Sequence, residues 1–268
     1  MRKHEEFILS PIEQILEDAG MATSSVNAGL HSYPLCEYVM HSTFLKLTGY
    51  QEQKLKCISW ELATDNYRHR YERYKRKPLG ECSSYEDKKM VFDDLVRLTH
   101  ELDGTYKGLT SVELQEIYTE TSVALISFYR QSKIKGWMEK PFSDFSQLTR
   151  LCGAQCLAFF NNNGLMTDIV GHCDNCSHKS ATPLAVACEI GQIANMRRVF
   201  DSVIMHRNRC AHNTISAQRN LPSLSTMKSM EYLFENYFLR FAMLIYIDKV
   251  FVRLYRNYLK VIDNDFEI

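Results

Sequence analysis

Apolar residues recur along this chain at intervals of three and four, and no run alternates with polar residues over the length of a strand. That rhythm predicts an all-α fold, an antiparallel helical bundle. Pro34 to Thr48 reads as a first helix ending at Gly49, and Gln51 to about Lys77 as a second, stopped by Pro78 and Gly80. A tight link at Gly49–Tyr50 would make the two antiparallel neighbours. Tyr85 to Leu102 continues the pattern through Val91, Phe92, Leu95, Val96 and Leu98, and Gly104 ends it. Thr110 and Glu113 match a capping box, which launches a helix through Ile126 to about Lys135.

Asp144 to Phe160 reads as a further helix, stopped by the Asn-Asn-Asn-Gly run at Asn161 to Gly164. Leu165 to Ala181 is the least regular stretch in the middle of the chain. It divides an additional N-terminal helical portion, residues 1–165, from a second portion, residues 166–268, the two packed closely as one unit. Thr182 followed by Pro183 is a helix start, and the apolar period then runs to about Cys210. A polar loop containing Pro222 follows. Ser223 or Ser225 opens the last helix, which carries Tyr232, Leu233, Tyr237, Phe241, Leu244, Ile245, Val250 and Leu254 towards Ile262.

Composition narrows the classes. Lysine plus arginine equals aspartate plus glutamate, 32 each, so nothing global draws the chain to nucleic acid or membrane, and any anionic partner needs a local patch. Nine cysteines, an odd number scattered through apolar helical pattern, read as reduced thiols in a cytoplasmic protein. The opening MRKHEEFILSPIEQ lacks the apolar run of a signal peptide, and the apolar stretch near the end is interrupted by Arg240, Asp248 and Lys249. A soluble protein without membrane contact is expected. No glycine-rich phosphate loop, serine elbow or nucleotide fingerprint occurs, so no cofactor is implied.

The densest polar chemistry is HRNRCAHN, His206 to Asn213, at the end of a long amphipathic stretch. Arg207 and His212 have four residues between them, and Asn208 follows the arginine. On an unbroken helix the two would point about 140° apart, because each residue turns the chain by about 100°. They converge if the helix unwinds or turns between them. An arginine and a histidine together, without a carboxylate cluster to hold a metal, suit RNA cleavage, since RNA carries its own nucleophile in the 2′-hydroxyl. A near-neutral histidine can move that proton while a guanidinium fork holds the phosphoryl oxygens. The plainer alternative is a solvated helix C-terminus whose cations favour the negative end of the dipole.

A long helix ending in Arg-Asn-x-x-Ala-His, then a polar loop and another long helix, resembles the HEPN superfamily over Thr182 to about Ile262. The resemblance implies a helical bundle that dimerises so that two motifs form one composite, metal-independent endoribonuclease site. It implies Arg207 and His212 as catalytic residues, Asn208 as their polar support, products ending in a 2′,3′-cyclic phosphate, and a role as a toxin or anti-phage effector with a possible antitoxin or activating partner protein. The rival is a HEPN-like module that binds RNA or a protein without catalysis.

Arg197, Arg198 and Arg209, on the helix that carries the motif, are candidate RNA contacts, with surface or dimer salt-bridge roles the equal alternative for Arg197 and Arg198. The run DNYRHRYERYKRK supplies Arg70 and Arg73 among Arg68, Lys75, Arg76 and Lys77, with Tyr67, Tyr71 and Tyr74 on one helical face. Either these form a platform of phosphate contacts and stacking rings, or the tyrosines pack on the core and the cations favour the helix end; the second reading is the simpler. Cys173, Cys176, His172 and His178, with Cys152 and Cys156, could frame a structural zinc site, although the spacing fits no known finger; free thiols in a polar loop are the default. Glu37 with His41, and Glu52 with Glu61, read as ordinary surface or inter-helix residues, because no second element fixes partners for them.

Overall fold

A computed structural model describes residues 2–27, 29–76, 80–143, 145, 196–212 and 236–265. Among the described residues every regular element is helical. Two short helices, α1 (Glu5–Leu9) and α2 (Gln14–Thr23), and a 3₁₀ turn at Leu30–Ser32 lead into α3 (Tyr33–Asp65). Then come α4 (Tyr67–Arg76), α5 (Tyr85–Leu102), α6 (Ser111–Gln131), a helical stretch at 135–143, α7 (Met196–His212) and α8 (Tyr237–Asp265). The helix expected at Asp144–Phe160, apart from Phe145, the start of the next at Thr182, the boundary near Leu165 and the start of the last helix at Ser223 or Ser225 lie outside the described residues; α7 is the described end of the helix expected from Thr182.

The helix pair expected around Gly49 is one helix. α3 runs unbroken for 33 residues, about 50 Å at 1.5 Å per residue. Its buried seam, Cys36, Met40, Phe44, Leu47, Leu55, Ile58 and Leu62, continues on both sides of the glycine. A glycine inside a helix costs only about 0.5–1 kcal/mol, less than burying a single leucine returns, so the seam prevails. The break falls at Asn66 instead. Its φ of −127° and ψ of 102° leave the helical region. Its side-chain Oδ1 then accepts from the His69 N–H at 2.9 Å, capping α4.

The other ends follow local rules. Ser84 caps α5 by accepting from the Asp87 N–H, and the Thr110–Glu113 capping box closes in both directions at the start of α6. The first half of α8, 238–248, is buried on every side, and Phe238, Phe241, Leu244, Ile245, Phe251, Leu254 and Tyr255 are almost wholly buried. Such a helix must be covered on every side, and α3, α5 and α6 pack against it. α7 lies on α3 and α5. One core cluster takes residues from both sides of position 165, from Ile8 to Ile262. No described helix is long and apolar enough to cross a membrane.

Gly49 is exposed, and a Cβ built on it meets nothing within 4 Å. Gly49→Ala should therefore raise stability by about 0.5–1 kcal/mol, a melting shift of roughly 1–4 °C for a chain of this size. A lower midpoint in thermal unfolding would count against the continuous helix.

Candidate functional site

α7 divides the polar stretch between two faces. Phe200, Val203, His206 and Cys210 are buried. Phe200 lies 6.2 Å from the Tyr85 ring on α5 and His206 lies 5.3 Å from the Phe44 ring on α3, centroid to centroid. Asn208 is exposed, and Arg207 and Arg209 are half-buried.

Arg207 reaches across to α3. Its Nη2 donates to both carboxylate oxygens of Glu52, at 3.0 and 2.8 Å, and its Nη1 donates to Asn208 Oδ1 at 3.1 Å. Glu52, at 12% side-chain exposure, is the more enclosed partner, and Arg207 keeps 30%. The guanidinium is held in place yet open on one side. Beneath Glu52 lies Lys88, wholly buried, donating to the Cys82 carbonyl at 3.0 Å with its ammonium 5.4 Å from the centre of the Phe200 ring. Burial pushes this lysine down to about 8, with Glu52 the leading charge that opposes the shift.

The expected unwinding between Arg207 and His212 does not occur: α7 stays helical through His212. Positions 207 and 212 therefore lie about 140° apart around the helix axis. The His212 side chain itself, and those of Arg197 and Arg198 in the first turn, lie outside the described part of the molecule, as do Cys152, Cys156, His172, Cys173, Cys176 and His178.

His206 belongs to the core. Its Nε2 is 2.9 Å from Tyr237 Oη and 3.3 Å from Cys210 Sγ, and Arg209 Nη2 sits 3.4 Å from its Nδ1. His41, His206 and Cys210 bring three ligand atoms within 4.8 Å of one another, which invites a metal. The surroundings fit one poorly. A guanidinium only donates, so the Arg209 contact makes Nδ1 the acceptor and leaves the hydrogen on Nε2, the nitrogen that faces Cys210 Sγ. A second guanidinium, Arg240, lies buried against the rings of Tyr237 and Phe44. The cluster is a joint between α3, α7 and α8, with His206 hydrogen-bonded to Tyr237 and in ring contact with His41 and Phe44.

Of the other candidate RNA contacts, Arg209 is turned towards His206, and Arg73 is turned inward. Arg73 binds Asp94 through Nε at 2.7 Å and through Nη2, and its Nη2 also donates to the Met90 carbonyl at 3.3 Å. Arg70 is exposed and lies over the Tyr67 ring. The simpler reading of the tyrosines is corrected for two of them: Tyr67 and Tyr71 face solvent. The inward side of α4 is taken by His69, beside Arg97 of α5, and by Arg73, tied to Asp94. Glu52, set aside in the sequence, is the partner that orients Arg207.

No protein-family model, curated protein or solved structure matches the chain.

Burial, and then the charges of Arg240 and Arg209, push the His206 imidazole down to about 2. In the unfolded chain the ring returns to near 6.5. Between those values the unfolded state holds the extra proton, so this contribution to stability is complete above about pH 6.5 and is lost as pH falls below it. His41 and His69, also lowered by burial, add the same sign. Urea unfolding should show stability falling below pH 6.5 by up to about 1.4 kcal/mol per pH unit from His206, with a flatter profile in His206→Gln. A folded-state titration of the His206 ring near pH 6, followed by NMR, would exclude this burial.

Proposed function

We propose that the chain is a metal-independent endoribonuclease that works as a homodimer. The observation that carries this reading is Arg207: a guanidinium at the open edge of α7, oriented by both oxygens of Glu52 and by Asn208, five residues before a histidine at the helix end. An arginine fixed by a carboxylate is preorganised to hold phosphoryl oxygens without reorganising as charge builds. Because positions 207 and 212 lie about 140° apart around one continuous helix, a second copy related by a two-fold axis offers the natural way to bring an arginine and a histidine to one phosphate.

In the reaction, His212 takes the proton of the 2′-hydroxyl, the oxygen attacks the adjacent phosphorus, and the 5′-oxygen leaves with a returned proton. The products are a 2′,3′-cyclic phosphate and a free 5′-hydroxyl. Arg207 stabilises the charge on the phosphoryl oxygens. Glu52 and Asn208 hold the fork. The HEPN resemblance adds a setting, an effector or toxin in the cytoplasm held in check by a partner protein. One observation favours the rival, non-catalytic reading: Glu52 balances the charge of Arg207 at 2.8 Å, which weakens its hold on an anion.

Incubation with RNA in EDTA separates the two. Arg207→Ala should lower kcat by at least about a hundredfold and His212→Ala by about 10²–10⁴-fold, with helical content unchanged. Asn208→Ala should cost less, about 2- to 13-fold. Glu52→Gln keeps an acceptor and deletes the charge; kcat should fall about tenfold while KM for RNA stays level or falls, since a repulsive charge is gone. A rise in kcat would make Glu52 a restraint and not a support. Cleavage by His212→Ala at the wild-type rate would end the assignment.

The dimer has its own check. After subunit exchange, mixing Arg207→Ala with His212→Ala should restore some cleavage where one centre needs one of each group. Where it needs all four groups, an excess of either variant should poison the wild type. A monomer by light scattering whose rate per chain is independent of dilution would refute the composite site.

A further inference from the structure

α4 is an amphipathic helix turned inside out. His69 is 3% exposed, its Nδ1 3.0 Å from Arg97 Nη2, and Arg73 points inward with it, anchored on Asp94. The aromatic side faces water: Tyr67 is 73% exposed and Tyr71 51%, one turn apart. Each ring has a cation beside it. Arg70 Cζ lies 5.3 Å from the centre of the Tyr67 ring and Lys75 Nζ 4.7 Å from that of Tyr71. Arg68 extends into solvent, its Nε 3.4 Å from Glu72, the single acid of the helix. In a chain with no net charge this outward face concentrates cations and ring faces together.

Inward polar residues explain how the rings come to be outside, but they leave the exposed rings without a structural purpose. Two π-faces at one-turn spacing, flanked by cations, complement a polymer that offers flat bases and phosphates alternately. A duplex hides its base faces in the stack, whereas a single strand presents them. We propose that the outward face of α4 binds single-stranded RNA, with bases stacking on Tyr67 and Tyr71 and phosphates held by Arg68, Arg70 and Lys75. The choice of RNA as the strand rests on the ribonuclease reading; the stacking surface does not. Glu52 lies 13 residues before the end of α3 at Asp65, about 20 Å of helix, and Tyr67 opens α4 two residues on, so a strand of several nucleotides seated on α4 can extend towards Arg207.

The test measures binding of a labelled mixed-sequence oligoribonucleotide to the full chain in EDTA, by fluorescence anisotropy, against the same sequence as a duplex. To separate binding from cutting, the measurement is repeated with His212→Ala. The single strand should bind more tightly than the duplex. Tyr67→Ala and Tyr71→Ala should each weaken it by about 5- to 100-fold, with an unchanged melting temperature because both rings are exposed, and Tyr→Phe at either position should restore it. Combining Arg68→Gln, Arg70→Gln and Lys75→Gln should reduce the slope of log affinity against log salt by about 2.

Duplex preference, or wild-type affinity in the folded Tyr67→Ala/Tyr71→Ala double variant, would overturn the proposal. A dinucleotide substrate is too short to reach α4 and the motif together, so it keeps the two readings apart. Loss of long-strand binding with intact dinucleotide cleavage supports the α4 surface. Tyrosine-dependent binding with no cleavage of any RNA by the wild-type chain keeps the surface and discards the nuclease.

Discussion

A lysine and a carboxylate removed from water set the register of the bundle. Lys54 on α3 and Asp248 on α8 meet at 2.8 Å with side chains 1% and 2% exposed, and the same ammonium donates to the Ser10 carbonyl. Separating such a pair leaves charge buried without compensation, a penalty of several kcal/mol, so α3 and α8 cannot slide past one another. One turn of α3 carries a second tie, Gln51 donating to the Leu244 carbonyl at 2.7 Å. Between these two residues sits Glu52, aimed at α7. The turn that locks α3 to the core helix is also the turn that positions Arg207. The geometry of the candidate site is thus inherited from the core, not arranged locally.

Elements whose ends are written in neighbouring residues were legible in the sequence. The capping box at Thr110 and Glu113 and the helix from Tyr85 to Leu102 stand where local chemistry puts them. Gly49 misleads because a glycine signals a helix end only when nothing downstream extends the buried seam, and here Leu55, Ile58 and Leu62 extend it. Asn66 carries the real break through its side chain, a modest cue beside a glycine or proline.

The site was legible only in part, for a different reason. Arg207 and Asn208 announce themselves by adjacency, but Glu52 lies 155 positions away from the arginine, and nothing in one sequence links residues that meet only after folding. His206 looked like a member of the polar motif because its neighbours are charged. Its burial against Phe44 and Tyr237 follows from helix phase relative to α3, which periodicity within one helix does not fix. The outward tyrosines of α4 reverse the usual rule because Asp94, on another helix, claims the opposite side.

The order of synthesis gives the central helix a further meaning. Every other described element precedes α8 along the chain, and α3, α5 and α6 all need it to cover their apolar seams. At ribosomal rates of about 5–20 residues per second, roughly 10–40 s separate the emergence of Lys54 from that of Asp248. During that interval the nascent chain holds its core seams open, and the buried charge of Lys54 has yet to meet its partner. Closure of the bundle therefore waits for α8 to be made, with long-range closure as the slow step. The Glu52–Arg207 pair takes its final geometry only as the bundle closes around α8.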